Sequence, residues 1–305
     1  MRIVITGPTG VIGVALIQEF VRRKIEVLAI CHRESKRMSY IPISPYVNIL
    51  ELDLTEYAQF QPDNKKKYDV FYHLAWNGTD GYERDDLKIQ QKNIDYSLDA
   101  VYLAHRFGCH TFIGAGSQAE YGRVNGKISA TTPTFPESGY GIAKLCAGQM
   151  TRIMCCQFNM RHIWTRILSV YGPYNGDNSM IISAIKKILI GEVPQFTRAE
   201  QKWDYLYSKD AAKAMYLLAE KGMENKTYCI GSGKEMALSE YIDIMKNEIN
   251  PSAKIEIGAL PYPERQIMYL CADIDELKKD TGFEVETDFR SGIQKTIEWV
   301  KSTMD

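Results

Sequence analysis

The chain has 305 residues, with 37 lysines and arginines against 38 aspartates and glutamates and a formal net charge of -1; it is long enough for a substantial core and has no broad basic surface. That balance excludes the usual footprint of a nucleic-acid or anionic-membrane partner, and no run approaches the roughly eighteen apolar residues of a membrane span. The N-terminus enters a strand pattern with no signal-peptide core, so a cytoplasmic location is expected.

Arg2-Ile3-Val4-Ile5 is a short buried strand that runs into Thr6-Gly7-Pro8-Thr9-Gly10-Val11-Ile12-Gly13 and then into a helix with apolar Val14, Leu16, Ile17, Phe20 and Val21. Glycines 7, 10 and 13 permit a tight turn, close approach of a pyrophosphate and close helix-strand packing, with the helix N-terminus aimed at the phosphates. At the end of the next strand, Glu26 to Cys31, an acidic residue would accept the adenosine ribose hydroxyls of NAD. Cys31, His32 and Arg33 stand there instead. An arginine at that place pairs with a 2'-phosphate, so NADP(H) is favoured. Glu34 leaves NAD(H) possible through a shift of one residue.

Strands over 47–52 and 69–75 follow, with helical stretches expected between them and a solvated loop at Lys65-Lys66-Lys67. A long helix from about Arg84 to Phe107, a strand to Ser117, a helix from about Tyr140 to Asn159 capped near Ser138, and a strand from Ile163 to Val170 complete the alternation. The fold class is α/β, a Rossmann-like doubly wound parallel sheet with helices on both faces. After Tyr171-Gly172-Pro173 the rhythm changes, and residues 173–305 read as a smaller C-terminal α/β substrate lobe beside a dinucleotide domain of residues 1–172. Helices are expected near 179–190, 210–221, 239–248 and 292–302, and a strand over 202–207. Residues 203–230 are expected to return to the larger domain.

The helix that begins near Ser138 places Tyr140 and Lys144 at i and i+4, on one face. A phenol with a reference pKa of about 10 is a poor base at neutral pH unless an ammonium stabilises the phenolate, and Lys144 is spaced to do that. The Ser117 hydroxyl, at the end of an apolar strand, completes a set suited to interconverting an alcohol and a ketone. Alone, such a tyrosine and lysine are most often an exposed pair, and the glycine turn upstream supplies the missing context. The seven cysteines form no C-x-x-C and lie in apolar segments, which reads as reduced buried thiols, with vicinal Cys155 and Cys156 as helix packing. The five histidines show no ligand spacing, so no metal is expected.

Together, Thr-Gly-x-x-Gly-x-x-Gly at 6–13, Asp53-Leu54, His73-Leu74-Ala75, Ser117 with Tyr121-Gly122, Tyr140-x-x-x-Lys144, and Arg166 through Tyr171-Gly172-Pro173 resemble an extended short-chain dehydrogenase/reductase of the nucleotide-sugar epimerase/dehydratase family. The resemblance implies that Gly7, Gly10, Ile12 and Gly13, with neighbours Thr9 and Val11, cradle the cofactor phosphates. It further implies that Asp53 and Leu54 contact the adenine, that Leu74, Ala75 and Trp76 flank the nicotinamide side, and that Lys144 holds the nicotinamide ribose. A nucleotide-diphosphate sugar is the implied substrate, with Ser117, Gln118, Ser169, Trp203 and Arg265 as contacts, and a homodimer through the long helices is implied by analogy. The blander readings are that Asp53 is a helix cap, His73 a satisfied strand-end histidine, and Trp203 core.

Two departures narrow the chemistry. Family 4,6-dehydratases carry Asp-Glu directly after the motif's Ser/Thr, where Gln118 and Ala119 stand here, and neither transfers a proton as a carboxylate does. Trp203 replaces the arginine that many relatives place before Asp-Tyr, and the Trp-Asp-Tyr form resembles enzymes acting on CDP-linked 6-deoxy sugars. The leading expectation is NADPH-dependent reduction of a 4-keto-6-deoxy nucleotide sugar. A C4 epimerase with tightly held NAD is the runner-up, and a non-catalytic dinucleotide sensor has no use for the Ser/Tyr/Lys set.

Overall fold

The computed structural model describes residues 1–63 and 66–304; Lys65 of the basic run lies outside them, while Lys66 pairs with Glu26 and Lys67 is exposed. The strands in chain order begin with β1 (Arg2–Thr6), β2 (Glu26–Cys31), β3 (Val47–Glu51), β4 (Val70–His73) and β5 (Thr111–Ser117). They continue with β6 (Arg161–Ile167), β7 (Ser169–Tyr171), β8 (Gln195–Phe196), β9 (Lys202–Trp203), β10 (Tyr205–Tyr207), β11 (Lys226–Ile230), β12 (Met236–Ala237), β13 (Glu256–Ile257) and β14 (Tyr269–Leu270). The α-helices are α1 (Val11–Arg22), α2 (Leu87–Arg106), α3 (Gly139–Gln157), α4 (Met180–Leu189), α5 (Ser208–Lys221), α6 (Leu238–Ile249), α7 (Asp275–Thr281) and α8 (Phe289–Met304).

Among the described residues, seven strands form one parallel sheet in the order β11-β6-β5-β4-β1-β2-β3. Its inner strands are apolar on both sides because helices cover both faces: α1 packs on α5 on one, α2 on α3 on the other, while the edge strand β3 is largely exposed. Ile3, Ile5, Leu16, Phe20, Met215 and Leu218 fill the first layer, and Val4, Phe71, Phe112, Val101, Leu103 and Cys155 the second. The order reverses where β1 meets β4, and a crevice opens there beyond the carboxyl ends of the strands.

The expected helices between β2, β3 and β4 are not formed: the described connections hold only 3-10 turns at Met38–Tyr40 and Leu54–Glu56. Pro42, Pro45 and Pro62 remove backbone donors from these segments, which also have no apolar stripe to bury. Two expected strands are each divided. Leu168 separates β6 from β7, and Asp204 separates β9 from β10. Asp204 is fully buried, and its carboxylate accepts from the backbone N–H groups of Ser232, Gly233 and Ala272 at 2.8, 3.0 and 3.0 Å and from the Ser232 hydroxyl at 2.6 Å. An aspartate that gathers those donors ends one strand direction and starts another.

The second layer of elements, α4, α6 and α8, shares a core of Ile182, Ile185, Ile242, Met245, Ile293 and Ile297. An aromatic cluster ties it to the two-stranded β7-β10 sheet: Tyr171 and Tyr205 from the strands meet Tyr241 of α6 and Phe289 of α8, with ring centroids 4.9 Å apart for Tyr171 and Phe289 and 4.5 Å for Tyr241 and Phe289. Cys155 is buried but its neighbour Cys156 is exposed, so only the first of the vicinal pair packs the helix. Each residue along a helix rotates the side-chain direction by about 100°, which carries Cys156 to the solvent side.

Candidate active site

The crevice is shaped by two glycines that admit no side chain. Gly7, at φ +67°, would place a Cβ 2.8 Å from the Ala75 nitrogen and the Leu74 carbonyl carbon, and a Cβ on Gly13 would strike the Gly7 carbonyl oxygen and approach Pro8 at 2.9 Å. Gly10 ends the turn as the N-cap of α1 with no side-chain cap, which aims the helix N-terminus into the crevice.

The floor is set by Thr6 and His73. Thr6 Oγ1 accepts from the backbone N–H of Leu74 and of Ala75, both at 3.2 Å, so its own proton goes to His73 Nδ1 at 3.0 Å. Ser97 donates to the Asn93 carbonyl at 2.7 Å and therefore accepts from His73 Nε2 at 3.3 Å. His73 is thus a buried neutral imidazole with both nitrogens satisfied, and burial pushes its pKa down to about 3. It is a structural residue, not a ligand.

Ser117 ends β5 and opens a 3-10 turn over Gln118–Glu120. Its Oγ accepts from the Ala119 N–H at 3.1 Å, and the hydroxyl keeps its proton and a second lone pair for the cleft. The Ser117 N–H is held by Glu120 Oε1 at 2.8 Å, and Glu120 is itself fixed by Trp164 Nε1 at 2.9 Å and Arg166 Nε at 2.7 Å. Ser138 caps α3 by accepting from the Gly141 N–H at 3.1 Å, so the first turn of that helix delivers Tyr140 and, one turn later, Lys144.

Lys144 is buried, donates from Nζ to the Ala115 carbonyl at 2.7 Å and lies 3.6 Å from the centroid of the Trp76 ring. Burial pushes its pKa down to about 7; Glu120 opposes this and Arg84 adds to it. Tyr140 is half-buried, with its ring 6.0 Å from that of Trp76 at 79°. Burial raises its pKa, while the Arg84 guanidinium and a hydrogen bond with Ser117 hold it down.

Two adjoining cavities follow the crevice. One of about 620 Å³ is lined by Gly7, Thr9, Gly10, His32, Asp53, Leu54, Ala75 and Trp76. The other, of about 520 Å³, holds Val11, Ile12, Gly13, Leu74, Ser117, Gln118, Tyr140, Lys144 and Ser169. The glycine cradle, the open helix N-terminus and this run of cavity suit a nicotinamide dinucleotide.

Three expected residues lie off the cavity walls. Arg33 is exposed and turned onto Asp53 at 3.3 Å and onto Glu56, whose Oε1 accepts from Nη2 at 2.9 Å. Arg265 donates to the Glu137 carbonyl at 2.6 Å on the surface. Trp203 stands behind the wall and donates from Nε1 to Ser169 Oγ at 2.7 Å, so it touches the cleft only through Ser169. Gln118 reaches the cleft with its Oε1 buried and unpartnered.

Sequence reasoning missed Arg37 at the adenosine end and Asp80, Arg84, Asn175 and Ser179 around the catalytic end. All lie in loops or at helix starts, where no periodicity marks them; only the basic run Lys36-Arg37 gave a local signal. Among the described residues, no three His, Cys, Asp or Glu converge to hold a metal, and no helix is long and apolar enough to cross a membrane.

The sequence model of the NAD dependent epimerase/dehydratase family matches residues 3–231. A dTDP-glucose 4,6-dehydratase of Shigella flexneri is 29% identical over 183 residues, 56% of this chain and only 50% of that protein's length. A putative UDP-glucose 4-epimerase of Methanocaldococcus jannaschii is 25% identical over 98% of both chains. The fold superposes on the UDP-N-acetylglucosamine 4-epimerase of Methanobrevibacter ruminantium with a TM-score of 0.89 at 24% identity, covering 99% of each chain. The match covers both the glycine turn and the Ser117, Tyr140 and Lys144 set, and on it the chain belongs to the NAD-dependent epimerase/dehydratase family.

Proposed function

We propose that this chain is an oxidoreductase of nucleotide-diphosphate sugars that reduces a 4-keto group of a 6-deoxyhexose, with NADPH as the favoured donor. The observation that carries the reading is Ser117, Tyr140 and Lys144 on one cavity wall, with Gln118 and Ala119 where a dehydratase needs its acid and base. Bound dinucleotide supplies the hydride that C4 receives. Tyr140 gives its phenolic proton to the C4 oxygen, and the outward Ser117 hydroxyl donates a hydrogen bond to the same oxygen. Lys144, anchored on Ala115, adds positive charge behind the phenol and would hold the nicotinamide ribose.

Gly7, Gly10, Ile12 and Gly13 would hold the pyrophosphate, and Asp53 and Leu54 the adenosine. Support for NADPH is Arg37 in the cavity wall, with Arg33 exposed at the exit of β2. The engagement of Arg33 with Asp53 and Glu56 favours a second reading, a C4 epimerase with retained NAD. A cytoplasmic homodimer completes the proposal. Seven unpaired cysteines support the compartment, and exposed Leu87 and Tyr102 on α2 with Ile142, Met150 and Ile153 on α3 support the dimer.

The test is Tyr140→Phe. Turnover of a 4-keto-6-deoxy nucleotide sugar should fall by about 10²- to 10⁴-fold while dinucleotide binding survives, and unchanged turnover sinks the mechanism. Native mass spectrometry separates the two readings, since copurified NAD that resists dialysis supports the epimerase.

A further inference from the structure

Tyr140 meets a group that its spacing from Lys144 does not reveal. The segment between β4 and α2 folds as a 3-10 turn over Gly81–Asp85, and the Gln90 side chain pins it by donating to the Gly78 and Glu83 carbonyls at 2.8 and 2.9 Å. From this turn Asp85 Oδ1 accepts from the Gly139 N–H at 2.8 Å, one residue before Tyr140, which ties the turn to the start of α3. The adjacent Arg84 donates to the Thr79 carbonyl at 3.0 Å and lays its Cζ 4.2 Å from the centroid of the Tyr140 ring. Lys144 Nζ is farther, 5.7 Å from that centroid, and is committed to Ala115 and the Trp76 face.

We propose that Arg84 is a positioning residue for Tyr140: latched over the ring by the bond from Asp85 to Gly139, its guanidinium holds the phenol in place and stabilises the phenolate left when the proton passes to the substrate oxygen. The inference rests on the reading of Tyr140 as proton donor. The charged groups that face Tyr140 are Lys144 from its own helix, Arg84 and Asp80 from the turn, and Glu120 from behind Ser117. Arg84 is the cation nearest the ring, at 4.2 Å against 5.7 Å for Lys144. Lys144, pushed down to about 7, loses part of its charge as the pH rises above neutrality. A cation over an aromatic face is favourable and becomes far more so when the ring carries negative charge.

The experiment follows Tyr140 ionisation directly by NMR of protein labelled at tyrosine ¹³Cζ, with Tyr140→Phe assigning the resonance among the 19 tyrosines. In Arg84→Gln the midpoint should move up by about one pH unit or more, Arg84→Lys should recover most of the shift, and the basic limb of kcat/KM for ketone reduction should move with it. An Arg84→Gln midpoint equal to the wild type overturns the proposal. So does a wild-type Tyr140 that stays protonated up to alkaline unfolding, because Arg84 would then bring it no nearer to ionisation. A shifted midpoint with an unmoved pH-rate profile keeps the Arg84 assignment and sinks Tyr140 as the proton donor.

Discussion

The hydroxyl of Ser117 shows how a single atom acquires a direction. One lone pair is taken by the Ala119 N–H, and because a ketone oxygen can only accept, the Ser117 proton is what would meet a ketone substrate. Arg33 is the opposite case, a side chain whose partners in the folded chain are not those expected from its place in the sequence. It sits between two carboxylates, yet on an exposed surface solvent and salt screen such pairs, and a doubly charged phosphate competes with them readily. Arg33→Ala should therefore weaken NADPH at least about tenfold more than NADH, a difference of about 1.4 kcal/mol, by fluorescence titration. Equal weakening would remove the case for NADPH and strengthen the epimerase reading.

At the scale of elements, α2 and α3 pack on each other against the sheet and still present apolar side chains outward. On α3 the half-buried Cys146 and the exposed Ile142, Met150 and Ile153 recur at helical spacing, so one stripe faces away from the core. A second copy offering the same stripe would cover it with twofold symmetry. The wild type should run as a dimer by light scattering, and Ile142→Glu with Ile153→Glu should make it a monomer. A monomeric wild type would end the dimer proposal. The same helices explain the site's rigidity: α3 is capped at both the side chain of Ser138 and, through Gly139, the carboxylate of Asp85, so Tyr140 is held from two elements.

Across the whole molecule, burial of ionisable groups sets a pH dependence. His73 and His162 are pushed down to about 3 by burial, against an ordinary 6.5 in the unfolded chain. Between those values the unfolded chain binds protons that the native state refuses, so stability is lost as pH falls from 6.5 toward 3. Lys144 behaves likewise at higher pH, with stability rising from about 7 toward 10.5 as its cost of burial disappears. His162 offers a clean test away from the cleft. Thr151 donates to the Ala147 carbonyl at 2.6 Å and accepts from His162 Nε2 at 3.0 Å, a bond that a glutamine amide can replace. His162→Gln should reduce the slope of unfolding free energy between pH 7 and 5 in urea titrations, and an unchanged slope would show that this imidazole is not its source.

The sequence by itself determined what depends on local pattern. Periodicity marked the strands of the parallel sheet, glycines 7, 10 and 13 marked the turn, and the spacing of Tyr140 and Lys144 marked one helical face. It also ruled the usual dehydratase pair out of positions 118 and 119. Tertiary structure alone decided which charges meet. Arg84 comes from a turn more than fifty residues before Tyr140, Arg33 chooses Glu56 over the cavity, and Arg265 rests on the Glu137 carbonyl. Local pattern records hydrogen bonds and apolar contacts within a few residues, whereas an electrostatic pairing depends on distance in space and on burial. Both are set only when separate loops fold against one another.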